Sequence, residues 1–161
     1  MNDKFNEQAF FVEAVRTAIR DGESVTLAGT GNSMRPFIDP DTDRLTLSPL
    51  PETVKPGHVC LYVRADGHPV IHRVWRVHRD GSCDTVGDAQ IRIERRVPQK
   101  QLVAVLTDRI RGDDVLHCTD PAVLRKAARH MRWRVCTLTV KCMAEVTYDE
   151  IKAIIRKAIR D

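Results

Sequence analysis

A mainly β body flanked by helices is the fold class this chain predicts, on three observations. Between Ser24 and about Arg111, short runs rich in Val, Ile, Leu and Thr alternate with turn pairs such as Pro56-Gly57, Asp66-Gly67 and Asp80-Gly81. Ahead of that body, apolar residues recur at helical spacing. After it, from Asp120, helix-start chemistry returns.

The opening helix is expected over about Phe5 to Asp21, with Phe11, Ala14, Val15, Ala18 and Ile19 on one face and Gly22 as its C-terminal stop. The strands are expected in SVTLAGT, RLTLSPL, HVCLYVR, PVIHRVWRVH, CDTVG and LVAVLTDRI. Asp120-Pro121 offers an N-cap followed by proline at the first helical position, opening a helix through about Cys142, although its VCTLTV stretch also reads as a strand. Thr147-Tyr148-Asp149-Glu150 is a capping box for a last helix, with Ile151, Ile154, Ile155 and Ile159 on one face. The expected division is a domain over 1–112, opening helix included, and a basic helical extension over 113–161.

Length and composition bound the function. A chain of 161 residues, 42% hydrophobic and 30% charged, buries a core and is not a disordered segment. No apolar stretch approaches the ~20 residues that span a bilayer, and the acidic, interrupted N-terminus reads neither as a secretory signal nor as an anchor. Five cysteines without a C-x-x-C predict reduced thiols, no zinc site and a cytoplasmic location. His58, His68, His78, His117 and His130 lack metal-like spacing, so no metal or other cofactor is expected. Residues 120–161 hold ten Lys/Arg against five Asp/Glu, whereas 1–119 are nearly balanced, so the net charge of +4 belongs to the tail. Such a tail suits an acidic partner or a membrane surface, and nucleic acid is not an expected partner.

Three segments of the β body carry chemistry: Gly29-Thr30-Gly31-Asn32-Ser33-Met34-Arg35-Pro36, Val70-Ile71-His72-Arg73-Val74 and Thr85-Val86-Gly87-Asp88-Ala89-Gln90. A serine hydroxyl needs an adjacent base to take its proton, and a glycine-flanked turn leaves backbone N–H groups free for an oxyanion. Ser33 sits in such a turn. An imidazole accepts that proton at neutral pH without the desolvation a lysine base needs.

The array GNSMRPF, KPGHVCLYV, VIHRVWRV and TVGDAQ resembles the signal peptidase I and LexA-type superfamily of serine peptidases, over roughly Val25 to Gly112. The resemblance implies a coiled antiparallel β-sheet body, with Ser33 of the Ser-Met pair as nucleophile. It implies His72 as general base, because the His72-Arg73 pair matches the branch that uses histidine rather than lysine. In that branch an acid follows in a Gly-Asp segment or a few residues later; Asp88 and Glu94 both match, and Asp88 is preferred as the shorter side chain. Ala89 and Gln90 depart from the usual asparagines, and Gly31 supplies no hydroxyl for the oxyanion. The Ser33 N–H, helped by the Asn32 side chain, is left for that role. Met34 is expected beneath the turn and, with Phe37, as a wall of the substrate pocket.

The function expected is a serine endopeptidase acting on peptide or protein substrates, leader or precursor peptides among them, closest to the signal-peptidase-like proteins without a membrane anchor. Two alternatives stay open. A silent peptide-binding module of the same fold would grip an extended segment by strand addition. A self-cleaving regulator would carry a helix-turn-helix ahead of the body, for which about 22 residues leave little room.

Overall fold

The computed structural model describes residues 3–135. The expected helix from Thr147, and the helix-or-strand stretch after Val135, lie outside the described residues.

Helix α1 (Asp3–Arg20) opens the chain. Its buried stripe is Val12 and Val15, with Phe11 and Ile19 packed against the same core, whereas Ala14 faces solvent. The stripe is turned toward Val12 because a buried isopropyl group removes more apolar area from water than a methyl. At the end of α1, Gly22 adopts φ +81° and the Glu23 N–H reaches the Ala18 carbonyl, so the stop read at Gly22 is a left-handed cap.

Eight strands follow: β1 (Val25–Ala28), β2 (Asp43–Ser48), β3 (Val59–Val63), β4 (Pro69–Val77), β5 (Cys83–Val86), β6 (Glu94–Val97), β7 (Leu102–Arg111) and β8 (Asp114–His117). They form one antiparallel sheet in the order β1-β2-β7-β3-β4-β5-β6, with β8 also on β7. The sheet does not close into a barrel, and its body matches the mainly β class expected. The ten residues of β7 organise it: one edge pairs with β2, and the other pairs first with β3 and then with β8.

Both faces of the central strands are covered, so β3 reads as a continuous apolar run rather than an alternating one. Val59 and Leu61 join Leu45, Leu47, Ala104 and Leu106 on one face, under Val15 of α1 and Met34. Cys60 and Tyr62 join Val74, Cys83 and Val105 on the other. Burial pushes the Cys60 thiol up to about 12, which keeps it an inert core group.

The boundary expected at residue 112 is corrected by two features. The sheet continues through β8, whose hairpin with β7 turns at Gly112, and Cys118 belongs to the core. Residues 121–135 form a helix, α2, as read, with the Asp120 carboxylate capping the Ala122 N–H at 2.6 Å. That helix is docked: Met131 and Val135 are buried, and Leu124 lies so close to Gly57 that any Cβ there meets its carbonyl oxygen at 2.6 Å.

Candidate active site

Ser33 leaves β1 through Gly29-Thr30-Gly31, with Gly31 at φ +76°, a conformation that L side chains resist. The turn is held from below: Met34 is buried, its carbonyl accepts the Ile38 N–H, and Ile38 is buried beside it. Gly87 presses on the turn from the side. A Cβ at that position meets the Ser33 carbonyl oxygen at 2.5 Å, and the Ala89 N–H donates to the same carbonyl at 2.8 Å. Only glycine permits this approach. Among the described residues no backbone carbonyl accepts the Ser33 N–H.

Ser33 and His72 line one cavity of about 590 Å³, walled by apolar side chains that include Leu27, Met34, Leu61 and Ile71. Among the described residues no hydrogen bond joins the two side chains. His72 is 2% exposed, and its Nδ1 lies 3.2 Å from the Tyr62 hydroxyl and 3.6 Å from a Glu94 carboxylate oxygen. Burial holds the imidazole below its ordinary pKa; Glu94 opposes that shift, Arg64 reinforces it and Asp88 opposes it. The ring is therefore neutral at neutral pH and able to accept a proton. Burial raises the Glu94 carboxyl, but its hydrogen bonds to Arg64 and Tyr62 outweigh that and leave it lowered, hence ionised.

The preference for Asp88 over Glu94 is reversed by these placements. Asp88 is bound by Arg73 in a two-pronged fork, with Nε at 2.9 Å and Nη2 at 2.7 Å. The same guanidinium donates to the Gly57 carbonyl at 2.8 Å and stacks over the Phe37 ring at 4.2 Å. Asp88 thus anchors the turn that braces Ser33, while Glu94 is the carboxylate beside the imidazole. Phe37, expected as a pocket wall, lies under Arg73 and does not line the cavity. Asn32 is exposed and outside the lining; its backbone carbonyl accepts the Arg35 N–H at 3.2 Å. Met34 lines the cavity as read.

Three residues that the sequence did not single out complete the surroundings. Tyr62 touches the imidazole, Arg64 holds Glu94 through Nε at 2.9 Å and a second contact from Nη2, and Arg134 of α2 donates to the Asp88 and Gln90 carbonyls. Among the described residues no cluster of His, Cys, Asp and Glu is arranged to hold a metal ion. No helix among them is long and apolar enough to cross a membrane. No family model, curated protein or solved structure matches the chain.

Proposed function

We propose that this protein is a serine endopeptidase of the signal-peptidase-like kind, with Ser33 as nucleophile and His72 as general base. The observation that carries the reading is the shared cavity: a serine on a glycine-flanked turn and a buried, neutral histidine from β4 line the same apolar cleft. Ser33 Oγ attacks the scissile carbonyl carbon while its proton passes to His72 Nε2, and the Ser33 N–H faces the oxyanion. The imidazolium then gives that proton to the leaving amine, which departs as the C–N bond breaks. Water hydrolyses the acyl-enzyme by the same two steps, with His72 taking the water's proton and returning it to Ser33. Glu94, 3.6 Å from Nδ1, offsets the imidazolium charge.

The substrate lies extended. β1 is the terminal strand of the sheet order and runs directly into the Ser33 turn, so a peptide added along its free edge delivers a carbonyl to Ser33. The apolar lining favours a small apolar side chain before the cut.

Incubating the protein with a peptide library at neutral pH, with products read by mass spectrometry, tests the reading. Ser33→Ala is expected to lower cleavage at least ~10³-fold with the fold intact, because a small turn residue contributes little packing. Cleavage at the wild-type rate by pure Ser33→Ala protein would remove the mechanism. One observation favours a second reading, a silent peptide-binding module: Ser33 and His72 are not hydrogen-bonded to each other. Peptide binding without cleavage, and without labelling of Ser33 by a fluorophosphonate, would establish that reading instead.

A further inference from the structure

We infer that Arg134 of α2 is a positioning residue for Ser33, acting through the turn Gly87-Asp88-Ala89-Gln90. The catalytic meaning of this tether rests on the proposed function, and the tether itself on geometry alone. The turn is closed by the Gln90 N–H on the Gly87 carbonyl at 2.9 Å. Its Ala89 N–H donates to the Ser33 carbonyl at 2.8 Å, so the place of this turn sets the place of Ser33. Among the described residues no backbone N–H donates to the Asp88 or the Gln90 carbonyl. The Arg134 guanidinium takes both, Nη1 donating to Asp88 and Nη2 donating to Gln90 at 2.9 Å. A planar fork on two acceptors fixes direction as well as distance, which a single donor does not.

Three features separate this contact from the general docking of the helix. Other side chains hold α2 on the sheet: Met131 and Val135 are buried, and Leu124 lies against Gly57. Arg125, Arg129 and Arg132 of the same helix are exposed, whereas Arg134 is half-buried and reaches the turn. The second guanidinium on the turn has a different task, since Arg73 binds the Asp88 carboxylate and leaves the two backbone carbonyls to Arg134. The turn is therefore tied by its side chain to β4 and by its backbone to α2. Hydrogen bonds from a charged donor are stronger than those between neutral groups, and one substitution removes both of them together. The turn then loses its backing, and Ser33 moves with it inside the cavity it shares with His72. A displacement of that kind costs rate rather than binding.

The test is amide hydrogen exchange read residue by residue, together with kcat and KM on a cleaved peptide, in Arg134→Met, which keeps an apolar stem and removes the fork. The Ala89 amide is expected to exchange about tenfold faster than in the wild type, the loss of one hydrogen bond, while the amides of β3 and β7 stay within about twofold. The value of kcat is expected to fall about tenfold, with KM within about twofold. Arg129→Met removes an exposed arginine of the same helix and should match the wild type in both measurements. An unchanged Ala89 amide in Arg134→Met overturns the inference, and so does an equal acceleration at Ala89 and in the core strands, which is a loss of fold rather than of a tether. The same changes in Arg129→Met overturn it as well, as does a released Ala89 amide with kcat unchanged. If the wild type cleaves nothing while Arg134→Met still releases the Ala89 amide, the tether stands and the peptidase reading fails.

Discussion

His72 and Arg73 are neighbours in β4, yet they face opposite sides of the sheet and end in surroundings that have little in common. His72 faces a hydroxyl chain, Tyr62 and Thr85, with one carboxylate 3.6 Å away and no ion pair of full strength. Arg73 faces a fully engaged clamp of Asp88, the Gly57 carbonyl and the Phe37 ring. On the proposed mechanism His72 must be free to gain and lose a proton, which suits partners that are neutral or displaced. A clamp must stay charged, so its partner is a directly bound carboxylate. The two acids are divided between the two faces: Glu94 lies beside the imidazole, and Asp88, which the sequence favoured for that place, is bound by Arg73, a division that fits the proposed role of His72.

The largest expected effect is on the Arg73 side. Arg73→Ala leaves the Asp88 carboxylate unpaired in a site where its side chain is 12% exposed, and loss of one partner of a buried pair costs about 3–5 kcal/mol. His72→Gln, by contrast, is expected to cost only about 1–2 kcal/mol, one buried hydrogen bond, while removing cleavage. Urea unfolding of both proteins checks this. Equal stability losses would break the division of labour.

Next in size is Gly87→Ala. The added methyl meets the Ser33 carbonyl oxygen at 2.5 Å and the Ser33 Cβ at 3.1 Å, so the Ser33 turn must move. A displacement of about 1 Å at a reacting group costs on the order of 100-fold in rate. Wild-type kcat in a folded Gly87→Ala protein would show that the clamp side does not position Ser33.

Exchanging the acids one at a time sharpens the comparison further. Glu94→Gln is expected to lower kcat about 100-fold, within the range for general acid–base catalysis. It should change stability less than Asp88→Asn, which weakens hydrogen bonds from a charged partner worth about 1.5–3 kcal/mol. The folded fraction of Asp88→Asn should retain most of its kcat. The opposite pattern would return the orienting role to Asp88.

Much of this was legible in the sequence, and the rest was not for a definite reason. Six strands announced themselves by β-branched runs, and the motifs singled out Ser33 and His72, which line one cavity. β6, Glu94–Arg95–Arg96–Val97, has three charged residues in four, because a terminal strand with only Val97 buried needs no apolar alternation. β8 is likewise half-exposed or exposed along its length. The sequence favoured Asp88 because Glu94 reaches the His72 face only through two pairings, Val74 with Thr85 and Thr85 with Glu94, whose register no motif announces. A one-residue slip in either exchanges the faces of the strand. Tyr62 was hidden differently: inside VCLYV it reads as an ordinary strand aromatic, and only the register with β4 gives it a polar task.

The smallest expected effect separates the two faces by pH. Burial lowers the pKa of His72 from its ordinary 6.5, and burial together with the nearby Lys55 charge lowers that of His58, whose Nδ1 accepts the Lys55 N–H at 3.0 Å. As pH falls through 6.5 the unfolded chain binds protons at both histidines while the native protein does not yet do so. Stability therefore falls as pH falls, beginning at the unfolded value and levelling off once pH is below the lowered native values. A guanidinium does not titrate at these pH values, so the slope belongs to the histidines. Urea midpoints measured between pH 7.5 and pH 5 should drop for the wild type and drop less for His72→Gln. His58→Gln should also flatten the curve, by an independent share. Peptide cleavage should persist into mildly acidic solution, because the base is not protonated until pH falls below the ordinary histidine range. A His72→Gln protein whose midpoint falls as steeply as the wild type would mean that His72 is no more costly to protonate in the native protein than in the unfolded chain, and the buried, neutral base would have to be abandoned.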